Sequence, residues 1–585
     1  MHAAGINFDF PCGGRGKCGK CRVRIVSGGD AVHEQETALL QADELAEGIR
    51  LACLVEVSGP TTVELLAEKN MQHQILLSTS GGKAQIMPQL TKRYLEVDKP
   101  GLEDHRPDLQ RIKDSLAQQG ISVTKTHFSV LQKLPVVLRK DKFKVTAIVH
   151  EKELLGLEPG NTGDNLLGMA FDIGTTTIVG FLIDLYTGRE LAVVSALNPQ
   201  TRFGGDVISR ITYANQNEHG LAQLHTAVTE ALNTLIGQAV EQAKIKREDI
   251  YTLTVVGNTC MHHLFLGIHP RQVALSPYVA AVSEPVEAEP AKLGLEINPA
   301  GKVFMLPNIA GFVGADTVGV LLATELDRSE KSKLVIDIGT NGELVLGNKD
   351  SLFACSTAAG PAFEGAQISC GMRGASGAID HVTFSDDLQF SVIDNVSPLG
   401  ICGSALLDTV AGLLEAGLIT KRGKFVEPDK VTNPTGQKLK ERLIEHDGSW
   451  AFLVAQDPDG KRIMVTQKDI RELQLAKGAM AAGIRILMNN SGIGYDEIDE
   501  VLLAGAFGNY LNPRSACIIG LIPGELEDRV TMVGNAAGAG AKLALISSEE
   551  YHRAAQLAKK VKFIELGSNP GFARIFANSM LLPGP

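Results

Sequence analysis

An apolar run ending in Asp-Ile-Gly-Thr occurs twice in this chain, and repetition of such a turn at domain-scale separation constrains the chain to a duplicated fold. Residues 166–171 lead into Asp172-Ile-Gly-Thr-Thr-Thr177 and a return strand over 178–183. Lys333-Leu-Val-Ile-Asp337-Ile-Gly-Thr-Asn-Gly-Glu343 repeats the design, with 344–346 as its return strand. The two aspartates stand 165 positions apart (337 − 172). In each copy a hydrophobic strand delivers a carboxylate to its tip, and the Gly-Thr turn exposes amides and hydroxyls to an anion such as phosphate. The carboxylate suits Mg²⁺, which prefers oxygen ligands and keeps much of its water. A single D-x-G-T is commonly a plain hairpin; two copies, each between apolar strands, read as two phosphate loops.

Nine cysteines in 585 residues are too sparse for a disulfide scaffold, and three of them fall within the first 21 positions. The segment Pro11-Cys12-Gly-Gly-Arg-Gly-Lys-Cys18-Gly-Lys-Cys21 has the spacing C-x5-C-x2-C, and Cys53 is the fourth candidate. Four thiolates can hold two irons, and the interleaved glycines allow positive φ and bare amides around a cluster. A zinc site, the alternative, would want two close pairs. The spacing resembles [2Fe–2S] ferredoxins of the adrenodoxin-like type, one residue longer in its first gap than C-x4-C-x2-C. A strand over 22–26, a short helix over 42–45 and a strand over 55–66 follow, the order of the second half of a β-grasp ferredoxin. Only 11 residues precede Cys12. Two strands, a turn and a helix do not fit there, so the first hairpin of the 1–66 domain is expected to be missing.

Residues 67–89 are polar and small, with Ser78-Thr-Ser-Gly-Gly82 among them, and read as a flexible linker. As a coil it would span about 25 Å, a tether suited to an electron shuttle. Residues 90–165 read as a small α/β middle domain with a helix over 108–119 and a strand over 144–149. The repeated design then gives a first half over 166–332 and a second over 333–585. Within the second, Glu500-Val-Leu-Leu-Ala-Gly505-Ala-Phe-Gly508-Asn-Tyr is a strand running into a small-residue turn, where absent side chains let a flat base approach the backbone.

That turn resembles the adenosine motif of the actin, sugar kinase and Hsp70 (ASKHA) superfamily, and Asp172, Asp337 and Gly505 follow its order of two phosphate loops and an adenosine loop. The resemblance implies an α/β multidomain protein whose largest part is a duplicated ribonuclease H-like ATPase domain, with ATP in the cleft between halves. Further segments carry a more specific likeness: Asn198-Pro-Gln, Gly204-Gly-Asp-Val-Ile-Ser-Arg-Ile211, Val256-Gly-Asn-Thr259, Ala310-Gly-Phe-Val-Gly-Ala-Asp316, Ala359-Gly-Pro-Ala-Phe-Glu-Gly365 and Gly400-Ile-Cys-Gly-Ser404. Joined to the cysteine loop, they make nearly the whole chain similar to the reductive activators of corrinoid-dependent enzymes.

The family resemblance implies ATP-coupled transfer of one electron from a [2Fe–2S] cluster to the Co(II) of a corrinoid protein, regenerating Co(I) for methyl transfer. In this reading Cys12, Cys18, Cys21 and Cys53 hold the cluster. Asp172 and Asp337 organise Mg²⁺ and the attacking water, and the text does not separate them as general base. Gly174, Thr175, Thr176, Gly339, Thr340 and Asn341 cradle phosphates, and Gly505, Ala506, Phe507 and Gly508 flank the adenosine. Glu343 and Glu364 are further candidates against strand-end or loop carboxylates satisfied by amides. No D-x-H-x-x-G cobalamin signature is present, so the corrinoid is expected on a partner, with a separate upstream electron donor and a homodimer implied by the family.

The formal net charge of −11 argues against nucleic acid as a partner. No stretch approaches the ~18 apolar residues of a membrane span and the start lacks a secretory pattern, so a cytoplasmic location is expected. Two other readings are an ASKHA small-molecule kinase and an ATP-switched binding protein, each with a structural or vestigial metal loop. His262-His263 point to different faces of a helix and are expected in packing, as are the cysteines beyond 53. Gly534-Asn-Ala-Ala-Gly-Ala-Gly-Ala-Lys542 lacks the G-x4-G-K-[ST] of a P-loop and is expected as a closely packed helix.

Overall fold

The computed structural model describes the chain outside residues 1–21, 30, 41, 56, 58, 65–84, 340, 366–367, 386, 459, 506–509 and 584–585. It divides into two compact units, one of residues 1–71, 325–536 and 560–585 and the other of residues 72–324 and 537–559.

In the second of these units, five strands set the architecture: Leu167–Ile173, Thr177–Asp184, Glu190–Leu197, Ile250–Gly257 and Lys302–Met305. The strand that carries Asp172 has an antiparallel neighbour on one side and the parallel strand Ile250–Gly257 on the other. Counting in chain order, the strands lie 3-2-1-4-5, with Val286–Ala288 added at the edge. Every residue of Ile250–Gly257 is buried, which explains its continuous run of apolar and threonine side chains; a central strand covered on both faces has no polar side to present. Helix Gly220–Ala243 packs on this sheet through Leu224, Val228, Leu232, Leu235 and Ile236. The middle domain adds a separate sheet of Leu90–Glu96, Lys144–His150, Glu153–Pro159 and Lys125–Thr126, backed by helices Asp108–Gln118 and Phe128–Lys140. Lys92 Nζ donates to Tyr251 Oη at 2.8 Å and pairs with Glu158 at 2.9 Å, joining that sheet to the strand Ile250–Gly257 through a buried polar cluster. Most of the expected linker lies outside the described residues, but its end is anchored: Met87 N donates to Ile546 O at 2.8 Å, and Ser548 N donates to Met87 O at 2.7 Å.

The other unit repeats the plan. Strands Lys333–Ile338, Gly342–Gly347, Leu352–Thr357, Glu500–Ala504 and Val530–Gly534 take the same 3-2-1-4-5 order with the same parallel and antiparallel senses. The duplication is therefore one of topology as well as text. Helix Gln467–Ser491 crosses the sheet; Thr466 and Asp469 cap its start reciprocally, and Gly492 at φ +75° ends it. Two three-stranded sheets, one built on Ala378–Phe384 and one on Ser449–Gln456, are inserted between the third and fourth strands. The N-terminal part contributes a small sheet of Ile49–Leu51, Arg22–Ser27 and Thr62–Glu64, with helices Glu34–Leu39 and Ala42–Ala46. Of the strand expected over 55–66, Thr62–Glu64 is formed, just after Gly59-Pro60, whose proline can donate no ladder hydrogen bond; residues 56, 58, 65 and 66 lie outside the described residues. Among the described residues no helix is long and apolar enough to cross a membrane.

Candidate functional site

The first candidate phosphate loop grows from the buried strand Leu167–Ile173, in which Asp172 lies in register between Val179 and Val256. Gly174 N donates to Thr177 O at 3.0 Å, closing a turn so tight that a Cβ at Gly174 would stand 2.7 Å from that oxygen. Asn258 Nδ2 donates to Thr175 Oγ1 at 2.9 Å, while Asn258 Oδ1 accepts from Met261 N as the cap of helix Thr259–Phe265. The start of helix Ala315–Thr324 presses on the same strand end, since a Cβ on Gly314 would lie 2.5 Å from Asn258 Cα. This brings Asp316 to the Asp172 end of the sheet, with its carboxylate accepting from Thr317 N at 2.7 Å. Burial pushes the Asp316 carboxyl up to about 6. Thr176 sits at the outer end of the turn, next to the strand that begins at Thr177.

The second loop has a different setting. Asp337 lies in register with Glu343 on one neighbouring strand and with Ala504 on the other. Directly paired residues project to the same face, so two carboxylates share one side of the sheet. Ser356 Oγ donates to Glu343 Oε1 at 3.3 Å. Gly339 N donates to Asn341 O at 2.9 Å, two positions on where Gly174 N reaches three positions on to Thr177 O, so the second turn is one residue shorter than the first. Gly505 has φ +89°, and a Cβ there would meet Asp337 Oδ1 at 2.6 Å, so both conformation and space demand glycine. Thr340 and the residues Ala506, Phe507 and Gly508 lie outside the described residues, as does the side chain of Glu364. Among the described residues no group of three or more His, Cys, Asp or Glu side chains is arranged to hold a metal. A cation here would take few protein ligands and complete its shell with water and phosphate oxygens, the habit of Mg²⁺.

Of the four cysteines, Cys12, Cys18 and Cys21 lie outside the described residues. Cys53 is half-buried in the turn that follows strand Ile49–Leu51, and Leu54 N and Val55 N both donate to Leu51 O. A buried ion pair supports that turn: Arg50 grips Glu36 with Nε and Nη2, and Leu51 N donates to Glu36 Oε1 at 2.8 Å. Burial alone would raise the Glu36 carboxyl, but the hydrogen bonds from Arg50, Leu51 and His33 outweigh it and hold the group below its ordinary value. Neither Glu36 nor its helix was legible in the text, because an acidic residue in Glu34-Gln-Glu36 reads as a solvated face.

The residues expected to be structural are so placed. His262 and His263 are buried, and His263 Nδ1 hydrogen-bonds Thr259 O at 2.7 Å while its Nε2 accepts from Ala281 N. Burial pushes His262 down to about 3 and the Cys260 thiol up to about 12. Lys542 pairs with Glu190 at 3.1 Å, and helix Ala536–Ile546 packs so closely that a Cβ on Gly540 would stand 2.0 Å from Gly319 O.

Family profiles match the chain in four consecutive stretches: a 2Fe-2S iron-sulfur cluster binding domain over 1–58, the RACo linker region over 80–164, the RACo middle region over 167–329 and the C-terminal ASKHA domain of RACo over 331–585. The corrinoid activation enzyme RamQ of Eubacterium limosum is 35% identical over 583 residues, covering 98% of this chain and 93% of that protein. The [Co(II) methylated amine-specific corrinoid protein] reductase of Methanosarcina barkeri is 27% identical, covering 68% of this chain and 73% of that protein. Among solved structures, a reductive activator for a corrinoid, iron-sulfur protein superposes with a TM-score of 0.77 at 34% identity, covering 99% of this chain and 94% of that one.

Proposed function

The chain belongs to the family of corrinoid activation enzymes, and from that premise we propose that it is the ATP-dependent reductive activator of a corrinoid protein, returning Co(II) on that partner to Co(I). The observation that carries this reading is the union, in one chain, of a ferredoxin-type cysteine set with two phosphate loops on a duplicated sheet. A [2Fe–2S] cluster held by Cys12, Cys18, Cys21 and Cys53 supplies one-electron transfer. The donor set fits that group, and the described member, Cys53, sits on a turn fixed by the Glu36–Arg50 pair.

The nucleotide supplies what the redox step lacks. Plant-type [2Fe–2S] centres lie near about −400 mV, and for one electron each ~59 mV of unfavourable gap costs about a factor of ten. Co(I) is a strong reductant, so ATP must favour one state of the complex with the partner over another. Gly174, Thr175 and Thr176, and Gly339, Thr340 and Asn341, receive the phosphates. Asp172 and Asp337, the latter with Glu343 beside it in register, orient the hydrated Mg²⁺ and the attacking water. Gly505, bare against Asp337, with Ala506, Phe507 and Gly508, admits the adenosine. Residues 67–89 tether the 1–66 domain to the rest. The protein works in the cytoplasm, as a homodimer, with an upstream electron donor and without nucleic acid.

The test is the anaerobic visible spectrum of the purified chain mixed with a Co(II) corrinoid protein and a dithionite-class reductant, with and without Mg-ATP. Co(I) absorbance that rises only with ATP is expected. Equal reduction without ATP, or a colourless protein that hydrolyses no ATP, would overturn the reading.

A further inference from the structure

We infer that Asn198 and Arg210 are positioning residues that set the polarity of the first phosphate loop, tying its carbonyls inward so that its amides face the phosphate chain of a nucleotide. This rests on the nucleotide reading proposed above and goes beyond it by assigning a role to side chains that touch no ligand.

Three successive carbonyls of the loop are taken up from behind. Asn198 Nδ2 donates to Gly174 O at 2.8 Å, Arg210 Nη2 donates to Thr175 O, and Asn198 N donates to Thr176 O at 2.8 Å. The two side chains act from one place, for Asn198 Nδ2 and Arg210 Nη1 both reach Gln200 Oε1 and Met261 Sδ. In a trans peptide the carbonyl and the following N–H point in opposite directions. Fixing the carbonyls of Gly174 and Thr175 inward therefore turns the N–H groups of Thr175 and Thr176 outward together. Adjacent amides aimed the same way are what an anion-binding turn needs, and a carbonyl swung among them would repel the anion.

The second argument is charge. Arg210 is fully buried, and its hydrogen-bond acceptors are the carbonyls of Thr175 and Gly204, the amide oxygen of Gln200 and the thioether of Met261, every one neutral, with the Asp206 carboxylate acting on it only through space. Burial lowers its pKa to about 10, which leaves it cationic at neutral pH. A buried cation whose direct partners are all neutral is costly for stability alone, and an apolar side chain would fill the space with less penalty. Placed directly behind the loop, the same charge favours an anion in front of it, where low dielectric keeps the field from being screened. The sequence around it, Gly204-Gly-Asp-Val-Ile-Ser-Arg210, is explained by this arrangement: a Cβ on Gly204 would lie 2.4 Å from Ser209 Oγ, so the turn folds back on the helix that carries the arginine.

The experiment compares equilibrium binding of ATP and of adenosine to the full chain, purified anaerobically, as wild type, Arg210→Met and Arg210→Lys, with melting temperatures measured without nucleotide. Arg210→Met is expected to weaken ATP roughly ten- to hundredfold and adenosine less than about twofold, with Arg210→Lys recovering part of the loss. Should Arg210→Met fail to fold, Asn198→Ser carries the same comparison with a loss for ATP of roughly three- to tenfold. Equal losses for ATP and adenosine, or ATP binding as tight as wild type in a folded variant, would overturn the positioning role alone. A wild type that binds no ATP would overturn the nucleotide reading and this assignment with it.

Discussion

The two candidate phosphate loops share a glycine placed two residues after the aspartate and differ in the length of the turn and in what surrounds it. Around Asp172 the neighbouring register positions are valines, and the loop is backed by an asparagine and a buried arginine. Around Asp337 the register partner is Glu343, and the backing is the bare backbone of Gly505. Each glycine N–H bonds back across its turn, to Thr177 O at 3.0 Å in the first and to Asn341 O at 2.9 Å in the shorter second, while the flanks diverge. The buried arginine adds a positive charge behind the first turn, and Glu343 adds a second carboxylate beside the second.

The most damaging substitutions test that difference directly. Asp337→Asn is expected to lower ATP hydrolysis roughly a hundredfold or more, and to raise the Mg²⁺ concentration for half-maximal rate by more than Asp172→Asn does. Glu343→Gln should move the same Mg²⁺ midpoint about tenfold with a milder loss of rate. Identical Mg²⁺ profiles for Asp172→Asn and Asp337→Asn would erase the asymmetry.

An intermediate effect is expected at Gly505. Alanine there would need φ near +89° and a methyl 2.6 Å from Asp337 Oδ1, a strain of about 1–3 kcal/mol. The melting temperature should fall by roughly 2–10 °C. Alanine tolerated without change in melting temperature would mean that the second loop is less tightly closed than described.

The smallest effect concerns Asp316, a titrating acid at the Asp172 end of the first sheet. Its folded pKa of about 6 lies above the ordinary 3.8, so the unfolded chain ionises first and the group costs stability progressively between those two pH values, then by a constant amount above them. Asp316→Asn removes the cost. Without nucleotide, its melting temperature relative to wild type should rise by a few degrees across that interval and level off above it. A difference independent of pH would place the effect in packing instead.

The sheets were legible because their signal is local. Each Asp-Ile-Gly-Thr turn sits between two unbroken apolar strands, and each of those strands is found where its run of residues falls. The backing of the loops was not legible, because Asn198, Arg210 and Asn258 come from segments 24 to 83 positions away from the atoms they hold. Their text was conspicuous, but no spacing rule told which backbone oxygen each would meet. The Glu36–Arg50 pair escaped for a related reason: a buried ion pair has the composition of a surface until the fold closes over it.

One feature of the chain path bears on how the protein is made. The unit of residues 72–324 is completed by residues 537–559, whose helix Ala536–Ile546 packs against Gly319 through Gly540. A ribosome adding about 5–20 residues per second needs roughly 10–50 s to travel from one segment to the other. During that interval the nascent sheet has left the exit tunnel without one of its covering helices. The apolar surface around Gly319 stays uncovered for that interval, and chains released before residue 537 lack the helix that covers it.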